Sequence, residues 1–336
     1  MKRRTHTAAL ACCCLLLALV SPAAGQEVKL DAARQKITTA SFVRARSTPE
    51  FAAAEVARLK LGTVVAAVAR TQEQSQIGEK RDYWYKVELP GGAPGWVFGG
   101  LLADYDPARR AETVRQIIEA RSKVESMSFE DGVDFYNFVE AALAAARDPA
   151  TRGELELHRL HAVGFAVLSI PLGQQTRPPY RDFHAAHAQQ VFHHELAGGW
   201  YVRPDAFWAL ERKYTGTPTG DLIAWDAAHA PIGGECESDE VCQFFALYQT
   251  EGKYLGLYPR GVHAAEAVAD IAQALASDEI PARLKGNEGG LASDERKELR
   301  ASLRALRDVI SKTAAPEKAS ILKRLDQLLP PTRQTR

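Results

Sequence analysis

The feature that most constrains this chain is a change of hydrophobic period at Asp106-Pro107. Before it, short runs rich in β-branched and aromatic residues alternate with period two. After it, apolar residues recur at helical spacing in stretches rich in Ala, Leu, Glu and Arg. A period of two lays one face of a strand on a core, and a period near ~3.6 lays one stripe of a helix on it. The 336 residues therefore read as multi-domain. A small all-β unit is expected over 36–104 and an all-α domain over 107–284. A linker at 285–292 (Lys-Gly-Asn-Glu-Gly-Gly-Leu-Ala) and a C-terminal helical pair over 293–330 follow.

With 46% hydrophobic and 25% charged residues, the chain is neither collagen-like nor mucin-like nor wholly disordered. Lys+Arg and Asp+Glu both number 42, so no global basic field exists to collect nucleic acid.

Residues 1–25 read as a secretory signal peptide, with Lys2, Arg3 and Arg4 before an apolar run from Ala8 to Val20 and a small-residue site at Ala23-Ala24-Gly25. The apolar run falls short of the ~20 residues that span a bilayer, and no later stretch approaches that length. The mature chain is expected in the periplasm or outside the cell. Ala9-Leu10-Ala11-Cys12 offers a lipidation alternative, but most of the hydrophobic segment follows Cys12. Cys12, Cys13 and Cys14 leave with the signal. Cys236 and Cys242 remain, and two cysteines in an exported chain predict one disulfide around a short loop.

In the first unit, Phe42-Val43-Arg44-Ala45-Arg46, Thr63 to Ala69, Tyr83 to Leu89 and Gly95-Trp96-Val97-Phe98 read as strands, broken by Leu59-Lys60-Leu61-Gly62 and Pro90-Gly91-Gly92. Close spacing of short strands predicts a closed or nearly closed sheet. The combination of Val43-Arg44, Ser47-Thr48-Pro49, Leu59-x-Leu61-Gly62-Thr63-Val64-Val65, Trp84-Tyr85-Lys86-Val87, Gly95-Trp96-Val97 and Leu101-Leu102 resembles the bacterial SH3 (SH3b) domain family. The resemblance implies an SH3-like barrel and recognition of cell-wall peptides or a protein segment. The polar stretch Arg70 to Asp82 departs from the pattern as an enlarged loop. Alternation puts Tyr83, Tyr85, Val87 and Leu89 on one face of their strand and Trp84 on the other. An outward Trp84 beside Arg44 or Arg46 makes a stacking platform for a peptide or sugar, the cations serving carboxylates. The alternative is that Trp84 seals the barrel edge or packs against the helical domain.

Beyond Pro107, helices are expected from Pro107 to about Glu125, from an Ser128 N-cap through Leu143, from Pro149 to Ser169 and from Tyr180 to Glu195, with the remainder helical too. An offset of 44 residues pairs Tyr214 with Tyr258, Ala224 with Val268, Asp226 with Asp270 and Ala228 with Ala272. This resembles tetratricopeptide-like helical hairpins, which implies a surface for protein interaction.

Histidines at i,i+3 (His158 with His161, His184 with His187), followed by His193-His194-Glu195, offer a zinc alternative, as does His229 with Cys236 and Cys242. No HExxH, Gly-x-Ser-x-Gly or phosphate-binding glycine loop is present, and two acids flanking Cys236 are a poor setting for a nucleophilic thiol. No catalytic residue, metal ligand or cofactor is assigned. The leading expectation is a non-enzymatic binding or scaffolding protein of the bacterial envelope, with Arg44, Arg46 and Trp84 at the ligand site. The competing one is a wall-modifying or zinc-dependent hydrolase built on the histidine-rich helices.

Overall fold

The computed structural model describes residues 27–234, 236, 239–285 and 291–329. The expected signal peptide and most of the expected linker lie outside them. An N-terminal antiparallel sheet region is followed by a helical region, and the chain divides into two compact units near Asp104. Segments 38–43 and 59–63 group with the second unit.

Seven strands form the main sheet: β1 (Glu27–Thr38), β2 (Val43–Arg46), β3 (Glu55–Leu59), β4 (Val64–Thr71), β7 (Trp84–Glu88), β8 (Pro94–Phe98) and β9 (Leu102–Asp104). Their order is β3-β2-β8-β7-β4-β1-β9, an open series with β3 and β9 at its ends. Alternation in β4 buries Val65, Ala67, Ala69 and Thr71, as period two requires. These meet Val87 and Val97 in the core. A register shift between Ala67 and Ala69 marks a bulge in β4 opposite β7. β5 (Ser75–Ile77) and β6 (Lys80–Asp82) pair as a separate ribbon within the stretch read from sequence as a polar loop.

The second unit contains α1 (Arg110–Ser122), α2 (Phe129–Ala145), α3 (Pro149–Leu168), α4 (Tyr180–His187), α5 (Pro204–Tyr214), α6 (Pro218–His229), α7 (Glu240–Leu247), α8 (Lys253–Leu257), α9 (Ala264–Leu275), α10 (Glu279–Lys285), α11 (Ser293–Lys312) and α12 (Lys318–Leu328). Ser128 caps α2 by accepting from the Asp131 N–H. One core runs from Val163 and Val167 of α3 through Ile223 and Ile271 to Leu299, Leu303 and Leu306 of α11, so the C-terminal pair is buried against the body of this unit.

The all-α expectation needs one correction. α4 stops at His187, and Val191–His194 (β10) pairs with Gly199–Val202 (β11) as a hairpin. Gly198 has φ +67°, and Val191 and Val202 reach the core. A left-handed turn residue between two short alternating runs favours a hairpin over a continued helix.

Cys236 and Cys242 form a disulfide. A five-residue π-helical turn, Tyr248–Gly252, joins α7 to α8. Two buried bonds tie the α5–α6 hairpin to the α8–α9 segment. The Tyr254 hydroxyl donates to Asp221 Oδ1 at 2.6 Å, and the Tyr258 hydroxyl donates to Glu211 Oε1 at 2.8 Å.

Candidate functional site

The surface expected at Arg44, Arg46 and Trp84 is built differently. Trp84 is only 3% exposed, packed with Trp96 and Phe98, and its Nε1 donates to Ser75 Oγ at 3.1 Å. The reason is the β5–β6 ribbon: Ser75 and Ile77 cover the outer face of β7, which alternation alone leaves open to solvent. Trp84 is therefore not a stacking surface.

An exposed ring stands elsewhere on the same sheet. Phe51, in the turn before edge strand β3, is 67% exposed, with the Arg46 guanidinium 5.1 Å from its centroid. That guanidinium is fixed by donating from Nη1 to the Ala53 carbonyl. Arg44 Nε lies 3.4 Å from Glu55 Oε2, and Arg58 Nε donates to Glu55 Oε1 at 2.6 Å. The Arg58 hydrogen bond, aided by the charges of Arg58, Arg44 and Arg46, holds the Glu55 carboxyl below its usual range. Exposed Val56 lies beside it on β3. The edge thus carries an aromatic face and three guanidinium groups, with Glu55 and the nearby Glu50 as its acids.

The histidines distribute among separate partners. His161 Nε2 lies 2.8 Å from Asp226 Oδ2, His187 Nδ1 donates to the Phe183 carbonyl, and His184 and His193 both meet the Trp200 ring. His193 and His194 sit on β10, not on a helix. Cys236 and Cys242, being joined, offer no thiolate to His229.

A cleft of about 640 Å³ lies among α1, α2 and α3, with His158 among its lining residues. His158 Nδ1 is 3.0 Å from Ser122 Oγ, and burial, then the charge of His161, lowers its pKa to about 4. The cleft's cations, Arg110 and Arg115, are matched by Glu112 and Glu154 amid alanine walls, so its charge selects no ligand class.

Among the described residues, one group has the spacing of a cation site: His229, Glu251 and Asp270, with ligand atoms within 4.8 Å of one another. His229 ends α6, Glu251 comes from the π-helical turn, and Asp270 lies on α9. His229 Nε2 is 3.6 Å from Glu251 Oε1, while its Nδ1 lies 2.9 Å from the Trp225 carbonyl. Glu251 is 5% exposed, and its Oε2 has no hydrogen-bond partner among the described residues. Burial, then the Asp270 carboxylate beside it, pushes the Glu251 carboxyl up to about 8. Trp225 lies between two imidazoles, His229 at 3.8 Å and His263 stacked at 4.4 Å.

Sequence reading named Arg44 and Arg46 of the edge and His229 of the cation group, but neither Phe51 nor the pairing of His229 with Glu251 and Asp270. Glu251 shows no helical or strand periodicity that marks it, because a π turn inserts a residue between helices. Asp270 carried one signal, its pairing with Asp226 in the 44-residue offset, and in the structure each of these aspartates lies near a histidine. No family model, no curated protein and no solved structure matches the chain.

Proposed function

We propose that the chain is an exported, non-enzymatic binding or scaffolding protein of the bacterial cell envelope, whose β2–β3 edge recognises a peptide with a free carboxylate. The observation that carries this reading is Phe51, two-thirds exposed and backed by Arg46 within the arginine set around Glu55. The Phe51 ring, with a guanidinium against it, leaves an apolar, cation-backed face free to meet a ligand. A ring with cations at its rim suits a ligand that presents an apolar or planar face and an anionic end. The resemblance to SH3b domains, with an SH3-like barrel as its implied form, makes a cell-wall peptide the first ligand to try. The charged leader and the Cys236–Cys242 bridge support an exported location. The helical unit, with its resemblance to tetratricopeptide-like hairpins, is assigned the protein-interaction role.

The test is co-sedimentation of the mature chain with insoluble peptidoglycan. Wild type is expected in the pellet, and Phe51→Ala or Arg44→Ala should weaken retention roughly tenfold, a usual loss for a central aromatic or arginine contact. Retention should also fall as salt rises, because Arg44 and Arg58 are exposed. Equal retention of both variants would remove the edge from the account.

A further inference from the structure

We propose that His229, Glu251 and Asp270 form a binding site for a divalent transition-metal cation, with zinc as the first candidate. The site lies wholly in the helical unit and stands independently of the sheet-edge reading.

Electron pairs converge at this point of the fold. A backbone carbonyl only accepts, so the 2.9 Å contact from His229 Nδ1 to the Trp225 oxygen places the ring's hydrogen on Nδ1. In the neutral ring the lone pair then resides on Nε2, which faces Glu251 Oε1 at 3.6 Å. The buried Glu251 Oε2 has no donor, and Asp270 adds a second carboxylate. Among the described residues no lysine or arginine pairs with Glu251 or Asp270, so either a proton held between the two carboxyls or a bound cation must offset the converging oxygens. Making His229 an imidazolium would answer Oε1 but leave Oε2 facing Asp270. A cation answers all three groups at once.

The surroundings are those of a ligand set. Donation of Nδ1–H to a carbonyl fixes the tautomer and orientation that free Nε2 for a metal. π-helical turns recur at functional sites, and this one carries the buried ligand. Zinc bonds of about 2.1 Å in tetrahedral geometry put neighbouring ligand atoms about 3.4 Å apart. The His229–Glu251 separation of 3.6 Å already meets that spacing. One nitrogen and two carboxylates favour a borderline cation over calcium, which takes six to eight oxygens. Three protein ligands leave a position for water or an incoming group.

The mature chain is stripped with a chelator, dialysed, and titrated with zinc chloride and separately with manganese chloride by calorimetry, with tryptophan fluorescence in parallel. One zinc per chain is expected, with Kd on the order of 1 μM or tighter. His229→Ala, Asp270→Asn and Glu251→Gln should each weaken binding at least roughly tenfold, the scale of losing one ligand or its support. His194→Ala, outside the site, should leave it unchanged. Trp225→Phe should keep zinc uptake but lose the fluorescence response, since Trp225 lies against His229. Circular dichroism of each variant reports folding, and exposed His229 is the variant least able to disturb it. Uptake by folded wild type no tighter than millimolar would overturn the proposal, leaving a proton shared by the two carboxylates. So would uptake unchanged in folded His229→Ala and Asp270→Asn.

Discussion

His158 is neutral at physiological pH, because burial and the neighbouring His161 lower its pKa from 6.5 to about 4. The sign of its linkage follows directly. Between those values the unfolded chain takes up a proton that the folded chain refuses, so stability is full above 6.5 and lost as pH falls toward 4. From pH 6.5 to 5 this one residue removes at most about 2 kcal/mol, at ~1.4 kcal/mol per pH unit. Urea unfolding at pH 7 and pH 5 should show a smaller loss for His158→Gln than for wild type; equal losses would show that His158 does not titrate this way. At this scale sequence reading was strongest for chemistry fixed by neighbours along the chain. The Ser128 cap and the Cys236–Cys242 bridge each need only a short local segment. It was weakest where a distant segment decides exposure. Trp84 is covered by Ser75 and Ile77, and no alternation within its own strand reports that.

At the scale of elements, α2 and α3 owe their close contact to Gly132. A Cβ at this position would stand 2.7 Å from the Ala166 nitrogen, closer than packed atoms approach, and backbone cannot swing aside as a long side chain can. Gly132→Ala gains helix propensity of up to ~1 kcal/mol, yet overpacking typically costs ~1–3 kcal/mol. Taking a mid-range overpacking cost of ~2 kcal/mol against that gain, the variant is expected to unfold at lower denaturant by a net ~1 kcal/mol; equal or higher stability would mean that the helices separate freely. The helices α2, α11 and α12 were legible because each carries a long apolar stripe with an end signal. The β10–β11 hairpin was not, because its strands span four residues each and follow an amphipathic helix without a break in composition. Its Gly198-Gly199 pair reads equally well as a helix stop, and the core positions of Val191 and Val202 decide for the hairpin. The π-helical turn was invisible for a related reason: Tyr248–Gly252 is continuous with helix on both sides.

At the scale of the whole molecule, the division near Asp106-Pro107 was the most legible property, since a change from period two to helical period lasts over many residues. The candidate sites were the least legible. The cation group draws one residue from each of three elements, separated by 22 and 19 positions along the chain, and the edge surface depends on which strand lies outermost. Function in this account rests on one claim, that the β2–β3 edge is where the envelope ligand binds. Hydrogen–deuterium exchange of the mature chain with and without a soluble cell-wall peptide tests it most directly. The account predicts slowed exchange across residues 44–58, absent in Phe51→Ala, with the helical unit unchanged. Protection confined to the helical unit, or the same protection of 44–58 in Phe51→Ala, would contradict it.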